Sequence, residues 1–319
     1  MSSELPETMR AVVLDAAGPP EALHVRDVPT PPVKRDHVVL ALDYASVGSW
    51  DGKTRSGAWG DVKQGTILGA DGSGRIAAVG EGVSRLKIGD RVYSYSYGNA
   101  DGGFYAEFVS VPADRVQPVP AQIDQIVAGA MPCVALTAHS GLQVLKVEKK
   151  SKLLVFGASG GVGSMAVWLA SNTGGAVVTG TARPDAHEYV RKLGASHAID
   201  PHSTELKAVL TRLAPATQGF DAVLATSDAD TLPQFLAHLR EGAAFAYPNG
   251  VEPVPRATGH HGIGYDGSMS RAAFNNLNAA IGSKVIPISV DVFPMNQVVE
   301  AHRAIDRGHV LGKIVLQIR

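Results

Sequence analysis

The stretch that decides the fold is Leu153-Leu154-Val155-Phe156-Gly157-Ala158-Ser159-Gly160-Gly161-Val162-Gly163. It reads as a buried strand, a glycine-rich turn and the start of a helix, predicted over Ser164–Ser171. The amino end of a helix offers free N–H groups and a positive dipole end, which together hold a pyrophosphate. Ala158 stands where the G-x-G-x-x-G fingerprint has its first glycine. We therefore predict a dinucleotide-binding turn made of Ala158, Ser159, Gly160, Gly161, Val162 and Gly163, with an ordinary glycine loop as the alternative.

Strand-like and helix-like segments alternate after this turn, as in a doubly wound sheet. The predicted strands are Leu153–Gly157, Ala176–Thr181, His197–Asp200, Phe220–Thr226 and Gly242–Pro248. Helical patterns lie between them, and a helical stretch interrupted at Pro132 precedes the first strand. The pair His260-His261 lies in a glycine-containing segment and is predicted to be a surface loop. Strands joined by helical crossovers predict a parallel sheet.

The chain before this sheet is rich in strands and turns. Its glycines interrupt strand-like sequence at Gly69, Gly72, Gly74 and Gly80, which indicates the bulges and corners of a small barrel. Near the end, a strand (284–294), a helix (296–307) and a last strand (313–318) are predicted. We expect a substrate domain over residues 1–125, a dinucleotide-binding domain over 126–262 and a C-terminal return over 263–319 that completes the first domain.

The composition excludes several classes of protein. The 319 residues exceed one typical core, and the net charge is −1, so neither a nucleic acid nor an anionic membrane is the expected partner. Cys133 is the single cysteine, which excludes a disulfide framework within the chain and a cysteine-rich zinc site. No apolar run reaches the length of a membrane span, and the start MSSELPETMR lacks the apolar core of a secretory signal. We expect a cytoplasmic protein.

Five motifs, taken in order, resemble the medium-chain dehydrogenase/reductase superfamily and, within it, the zinc-free quinone oxidoreductase (zeta-crystallin-like) branch. They are Leu68-Gly69-Ala70-Asp71-Gly72-Ser73-Gly74, Ile88-Gly89-Asp90-Arg91-Val92, Pro132-Cys133-Val134-Ala135-Leu136-Thr137-Ala138, the glycine-rich turn, and Gly308-His309-Val310-Leu311-Gly312-Lys313-Ile314-Val315-Leu316. The resemblance implies an α/β fold with a Rossmann-type doubly wound parallel sheet plus a β-rich GroES-like barrel domain. It also implies a homodimer formed through the nucleotide domain.

The same resemblance bears on metal binding. Zinc-dependent relatives carry a catalytic cysteine, a histidine followed by glutamate, and a second cysteine. The corresponding positions here are Gly48, Ala70 followed by Asp71, and Cys133. One thiolate cannot form a catalytic zinc site, which needs three protein ligands. We therefore expect no metal, and we interpret Cys133 as a small buried residue.

The end of the second predicted strand bears on the choice of cofactor. NAD-binding folds place an Asp or Glu there for the ribose 2′-hydroxyl, whereas this chain has Thr181 and Arg183 and no carboxylate before Asp185. Gly180 would leave room for a 2′-phosphate, and Arg183 would pair with that phosphate. The pattern favours NADPH over NADH and makes Thr181 and Arg183 candidate cofactor residues. The alternative for Arg183 is a solvated residue at a helix start.

Further cofactor contacts are implied by the resemblance. It places Thr137 near the nicotinamide, where its hydroxyl could bond the carboxamide; the alternative is a helical residue packed against Ala138. Asn249 and Gly250 follow the fifth predicted strand, at the carboxyl edge where open α/β sheets bind ligands. Lys313 in the closing motif would approach the cofactor cleft.

The candidates for catalysis are Asp51, Lys53 and Tyr97. Quinone reductase relatives often carry an Asn and a Tyr in the segment from residue 47 to 53, where this chain has Gly48 and Lys53. Asp51 fits the family pattern, with a structural cap as the alternative. Tyr97, like Tyr95, could polarise a carbonyl with its phenol O–H, unless these rings only pack.

Together these features predict an NADPH-dependent oxidoreductase that transfers hydride to a quinone or an α,β-unsaturated carbonyl without a metal. Its partner would be a small-molecule carbonyl or quinone. Two alternatives stay open. One is a zinc-free carbonyl or alcohol dehydrogenase, and the other is a nucleotide-binding protein without turnover, such as a sensor or a structural protein.

Overall fold

The first part of the chain folds into two sheets in a computed structural model that describes residues 5–215, 218–227, 230–256 and 259–319. Its elements are β1 (Thr8–Leu14), β2 (Leu23–Pro29), β3 (His37–Val47), α1 (Ser49–Arg55), β4 (Thr66–Ile67), β5 (Asp71–Val79), β6 (Arg91–Tyr95), β7 (Phe108–Pro112) and β8 (Val116–Pro118). Strands β2, β1 and β4 form the smaller sheet. The larger sheet is organised around β3, which pairs antiparallel with both β5 and β7.

The middle of the chain forms the predicted parallel sheet. Its elements are α2 (Gln125–Ala130), α3 (Pro132–Val144), β9 (Lys152–Phe156), α4 (Gly161–Asn172), β10 (Val177–Thr181), α5 (His187–Lys192), β11 (His197–Ile199), α6 (Leu206–Leu213), β12 (Phe220–Ala225), α7 (Leu232–Leu236), β13 (Leu239–Pro248), β14 (His261–Tyr265) and α8 (Arg271–Ile281). The strand order is β11-β10-β9-β12-β13-β14, with parallel pairing throughout. The order reverses beside β9, which places the ligand-binding crevice at the turn that follows β9.

Two sequence predictions need correction at the edge of this sheet. His261, expected in a surface loop, begins β14, which pairs with β13. A Cβ on Gly262 would come within 2.6 Å of the Phe245 ring. The glycine is therefore explained by close packing of β14 on β13 and not by a loop.

The expected domain boundary between residues 262 and 263 falls inside β14. Phe274 in α8 belongs to the core of the nucleotide domain, and we propose that this domain extends through Ile288.

The last part of the chain returns to the first domain. It contains β15 (Val290–Pro294), α9 (Val298–Arg307) and β16 (Lys313–Gln317), with short 3-10 helices elsewhere at Pro20–Ala22, Ala113–Arg115, Pro184–Ala186 and Met295–Gln297. Strand β16 pairs antiparallel with β3 and parallel with β15. This pairing agrees with a C-terminal segment that completes the first domain, which stays a prediction. Within the described ranges, no helix combines the length and the apolar character that crossing a bilayer requires.

A buried polar network joins α9 to α1. The Arg55 guanidinium donates to His302 Nδ1 at 2.9 Å and to Asp306 Oδ2 at 2.8 Å. Since a guanidinium only donates, Nδ1 accepts and Nε2 carries the proton; Nε2 lies 3.2 Å from the Tyr105 hydroxyl. Burial lowers the pKa of His302 to about 3. The neutral imidazole of His302 therefore accepts from Arg55 and links α1 to α9.

Candidate active site

The turn after β9 is fixed from the neighbouring strand. Gly157 has a positive φ of 82°, a conformation that suits glycine. Its N–H donates to Thr181 Oγ1 at 2.9 Å, and the N–H of Ala158 donates to the Thr181 carbonyl at 2.9 Å. Thr181 and Ala158 are buried. These two side chains therefore shape the turn, and their burial keeps them out of contact with a ligand.

The glycines of the turn have different roles. A Cβ on Gly163 would lie 2.1 Å from the Gly157 carbonyl oxygen, so helix and turn can meet only at a glycine. A Cβ on Gly160, in contrast, would meet nothing closer than 3.7 Å. Gly160 is the N-cap of α4, and no side chain among the described residues caps this helix. The half-exposed residues 159–162 thus leave helix N–H groups free for a pyrophosphate, and the turn fits a dinucleotide.

The end of β10 differs in part from the sequence prediction. A Cβ on Gly180 would lie 2.7 Å from the Cβ of Ala158 and 2.8 Å from Val190 Cγ1. Gly180 therefore makes room for Ala158 and not for a 2′-phosphate. Arg183 lies just beyond the strand with 42% of its side chain exposed, and its guanidinium is 3.3 Å from the Asp185 carboxylate. Such an exposed pair is weak, so Arg183 can exchange Asp185 for an anionic ligand.

Thr137 and Asn249 lie on either side of the segment that follows β14. A Cβ on Gly267 would be 2.5 Å from Thr137 Oγ1, so this segment covers the threonine. Asn249 Nδ2 donates to Asp266 Oδ2 at 2.9 Å, and its main-chain N–H donates to the Tyr265 carbonyl. The structure therefore brings the two predicted nicotinamide contacts together, with residues 265–267 between them.

Lys53 bridges the two domains. Its Nζ donates to the Gly250 carbonyl at 2.9 Å, and the ammonium lies 5.4 Å from the centroid of the Trp59 ring. Gly250 has a φ of 95°, which suits glycine at this turn. The contact places Lys53 of α1 directly at the carboxyl edge of the nucleotide sheet. A predicted catalytic residue and a predicted cofactor residue thus meet.

Asp51 makes the contacts of a structural cap, the alternative to its predicted catalytic role. Its carboxylate accepts from the N–H of Gly48 at 2.9 Å and from the N–H of Gly69 at 3.1 Å, and the Tyr105 hydroxyl also bonds it. The side chain caps α1 and ties it to the loop before β5. Burial raises the pKa of Asp51 to about 6, against the lowering effect of these bonds and of the Lys313 charge.

Tyr97 lies at the rim and not at the centre of the site. It is 46% exposed, and its main-chain N–H donates to the sulfur of Met269 at 3.3 Å. Tyr95 is more enclosed: it contacts Cys133, and burial raises its pKa above the usual range. Of these two phenols, that of Tyr95 therefore lies nearer the buried Cys133.

Lys313 points away from the phosphate turn. Its Cδ lies against Gly161, where a Cβ would approach to 2.7 Å, but its Nζ turns inward to the Val47 carbonyl at 2.8 Å. The ammonium is 4.6 Å from the centroid of the Trp50 ring, and burial lowers its pKa. The side chain thus joins the nucleotide domain to the first domain, and its stem is the part that faces the cofactor turn.

The residues at the positions that bind zinc in the zinc-dependent relatives do not fit a zinc ion. The Trp50 ring covers Gly48, and Asp71 is buried with one carboxylate oxygen accepting from the N–H of Cys133 at 2.9 Å. Burial raises the pKa of Asp71 to about 7 and that of the Cys133 thiol above its usual range, which disfavours the charged forms that bind metals. Across the described parts of the chain, no three His, Cys, Asp or Glu side chains group as metal ligands.

Sequence reasoning missed the role of Trp50 and the burial of Asp71. The available signal for Trp50 was its place two residues after a glycine where relatives carry an asparagine. The signal for Asp71 was its place after the position that holds histidine in zinc-dependent relatives. Neither signal states what the side chain contacts, because the contacts come from distant elements: Lys313 of β16 lies over the Trp50 ring, and Cys133 of α3 donates to Asp71.

Comparisons with known proteins cover both domains. The family model "Alcohol dehydrogenase GroES-like domain" matches residues 34–121, and "Zinc-binding dehydrogenase" matches residues 193–316. NADPH-dependent alkenal/one oxidoreductase, chloroplastic, from Arabidopsis thaliana is 27% identical over 98% of this chain and 81% of its own length. NAD(P)H oxidoreductase RTN4IP1, mitochondrial, from Bos taurus is 30% identical over 79% of this chain and 70% of its own. The quinone oxidoreductase structure from Coxiella burnetii has a TM-score of 0.83 and 26% identity, covering 98% of this chain and 100% of that chain.

Proposed function

Because this chain belongs to the medium-chain dehydrogenase/reductase family and fits its quinone reductase branch, we propose that it is an NADPH-dependent oxidoreductase acting on quinones or α,β-unsaturated carbonyls. The single observation that carries the proposal is the turn from Gly157 to Gly163. Its helix N–H groups have no side-chain cap among the residues that the structure describes, and the carboxyl edge beside it is bordered by Lys53 and Gly250. A pyrophosphate and a nicotinamide would fit along this edge.

The cofactor assignment rests on the end of β10. Arg183 is the exposed cation next to that strand, and its partner Asp185 is itself exposed. A 2′-phosphate would pair with the guanidinium in a charge-assisted way. We therefore propose NADPH over NADH as the working cofactor.

Bound NADPH supplies a hydride, and the residues of this chain position the acceptor and stabilise charge. As the hydride reaches the β-carbon of an enone, the electron pair of the C=C bond moves toward the carbonyl oxygen. The oxygen then needs a donor, and solvent protonates the α-carbon. Lys53 is our candidate for holding the acceptor at the domain boundary, with Tyr97 at the rim.

We propose that this reaction needs no zinc. The proposal is supported by the Trp50 ring over Gly48 and by the neutral tendencies of Asp71 and Cys133. Elemental analysis of the purified protein should give zinc far below one atom per chain. Stoichiometric zinc, lost together with activity on treatment with a chelator, would contradict the proposal.

The function is tested by following NADPH and NADH oxidation with quinones, enones, enoyl thioesters and saturated aldehydes. We expect turnover with a quinone or an enone and a preference for NADPH. Turnover only with saturated aldehydes would identify a carbonyl dehydrogenase. Tight NADPH binding with no turnover on any acceptor would instead identify a nucleotide-binding protein without catalysis.

We also propose a cytoplasmic homodimer. Strand β14 ends the order of the nucleotide sheet as described, and an edge strand offers unpaired N–H and C=O groups to a second copy. Light scattering should give twice the chain mass of 33.3 kDa, and cell fractionation should place the protein in the soluble fraction. A mass of one chain at micromolar concentration would overturn the dimer.

A further inference from the structure

Helix α1 carries an indole that the proposed chemistry has not used. Trp50 lies over Gly48 so closely that a Cβ at residue 48 would come within 2.3 Å of the indole Cε2 and Cζ2 atoms. Cε2 is bonded to Nε1, so the N–H edge of the ring occupies the space beside residue 48. Only glycine at position 48 allows this placement.

In the part of the chain that the structure describes, the indole N–H is a donor without an acceptor. Nε1 is buried and has no hydrogen-bond partner among the described residues. Buried polar groups in native proteins are nearly always paired, and an exception calls for a ligand, a water or an ion that completes it. An indole N–H can only donate, so its missing partner is an acceptor such as a carbonyl oxygen.

The neighbours of Trp50 place it between the two halves of the cofactor site. Its ring packs against the core of the nucleotide domain, and the Lys313 ammonium lies 4.6 Å from the ring centroid. The stem of Lys313 touches Gly161 of the phosphate turn. One turn further along α1, Lys53 reaches Gly250. The indole therefore lies on the stretch of the cleft where the acceptor would meet the nicotinamide.

We propose that the Trp50 N–H donates to the carbonyl oxygen of the substrate, and that the Lys313 ammonium stabilises the same developing negative charge from across the ring. The inference rests on the proposed function. When hydride adds to the β-carbon, the C=C π pair forms a new double bond between the α-carbon and the carbonyl carbon, and the C=O π pair moves to the oxygen. This enolate oxygen accepts a hydrogen bond from the indole N–H until solvent delivers a proton to the α-carbon and the C=O bond forms again. A preorganised donor at such an oxygen contributes on the order of 10²-fold to kcat.

Two replacements of Trp50 test the proposal. In the first, 3-benzothienylalanine keeps the shape of the ring and puts sulfur in place of the N–H; Trp50→Phe is the second. With cyclohex-2-enone or 1,4-benzoquinone, the benzothienyl protein should lose about 100-fold in kcat, while the Kd for NADPH stays within about twofold. Equal kcat in the wild-type and benzothienyl proteins would overturn the inference and leave the proposed function intact. No turnover by the wild-type protein with any acceptor would overturn both.

An NMR measurement adds a readout that does not depend on turnover. The ¹⁵N-labelled indole signals of the three tryptophans are recorded with NADP⁺ bound, and Trp50→Phe assigns the Trp50 signal. Adding cyclohex-2-enone, which NADP⁺ cannot reduce, should move the Trp50 indole proton downfield and leave that of Trp168 in place. A Trp50 signal that does not respond while the enone binds would overturn the proposal.

Discussion

The phosphate turn (residues 157–163) and the α1 segment (residues 47–55) face each other across Lys313, yet they are built differently. The turn uses main-chain groups. Its shape depends on positions where a side chain would clash with the backbone, as at Gly163. The α1 segment uses side chains whose partners come from distant parts of the chain, such as Gly250 for Lys53. A site made of backbone can be read from a run of glycines, whereas a site made of side chains depends on the tertiary fold.

The largest expected effect comes from filling the turn. In Gly163→Val, the new Cβ would lie 2.1 Å from the Gly157 carbonyl oxygen. We expect the free energy of unfolding to fall by more than about 4 kcal/mol, or the protein not to fold. Thermal unfolding and calorimetric NADPH binding measure both effects.

Gly160→Ala is the matched control, because its Cβ would meet nothing closer than 3.7 Å. It should keep the thermal stability and weaken only NADPH binding. A Gly163→Val protein with normal stability and normal NADPH affinity would refute the backbone description of the turn.

The next largest effect distinguishes a capping role of Asp51 from a catalytic one. Asp51→Ala leaves the N–H groups of Gly48 and Gly69 without their acceptor. We expect a loss of about 2–4 kcal/mol in the free energy of unfolding, with kcat per folded molecule nearly unchanged. Asp51→Asn keeps one acceptor oxygen and should lose less. A large fall in kcat with unchanged urea unfolding would instead support the predicted catalytic role of Asp51.

The ribose end of the cofactor site gives a smaller effect. Arg183→Ala removes the exposed cation beside β10, and a charge-assisted bond to a phosphate is worth about 1.5–2.5 kcal/mol, or about 10- to 60-fold in Kd. NADPH should weaken by this factor and NADH by less than about twofold. Arg191→Ala, in the neighbouring helix, is the control. Equal losses for both cofactors would show that Arg183 does not recognise the 2′-phosphate.

The smallest effect is a pH dependence of the free energy of unfolding, which arises from His302, the partner of Arg55 in the α1 segment. The pKa of His302 is lowered from 6.5 to about 3, so the unfolded chain takes up a proton below pH 6.5 that the folded protein does not. The stabilisation is present above pH 6.5 and is lost progressively as the pH falls toward 3. Between pH 7 and pH 6 this one group should lower the free energy of unfolding by about 0.7 kcal/mol.

Urea unfolding of the wild-type and His302→Gln proteins at the two pH values measures this effect. The variant should lose the pH-dependent part, and His24→Gln, at an exposed site, should retain it. The same slope in all three proteins would mean that His302 titrates normally. The phosphate turn has no titratable side chain between Gly157 and Gly163 and cannot contribute.

The fold could be predicted because periodicity and glycine spacing are local signals. They placed β9, α4 and the return strand within a few residues. They failed at β14, where Gly262 packs on Phe245 and the glycine pattern imitates a loop. They also failed at Gly180, whose open side is filled by Ala158, a residue 22 positions away along the chain.

Only the part of the site that is built from main-chain groups could be predicted from the sequence; the contacts of its side chains could not. Lys53 was singled out, but its contact with Gly250 spans 197 positions. Asp51 fitted a family pattern for a reason that the pattern does not state, which is the capping of α1. The burial that perturbs the pKa values of Asp71 and Lys313 arises when β5 and β16 assemble on either side of β3, and no local window contains both residues.

The position of β16 has a consequence for how the chain is made. β3 can complete its pairing only with residues 313–317, which leave the ribosome more than 250 residues later. At about 5–20 residues per second, that delay is roughly 13–50 s. The nucleotide domain, whose sheet is encoded without interruption, can fold during this time. The first domain to be synthesised is therefore the last to close, and its unpaired β3 edge needs protection until then.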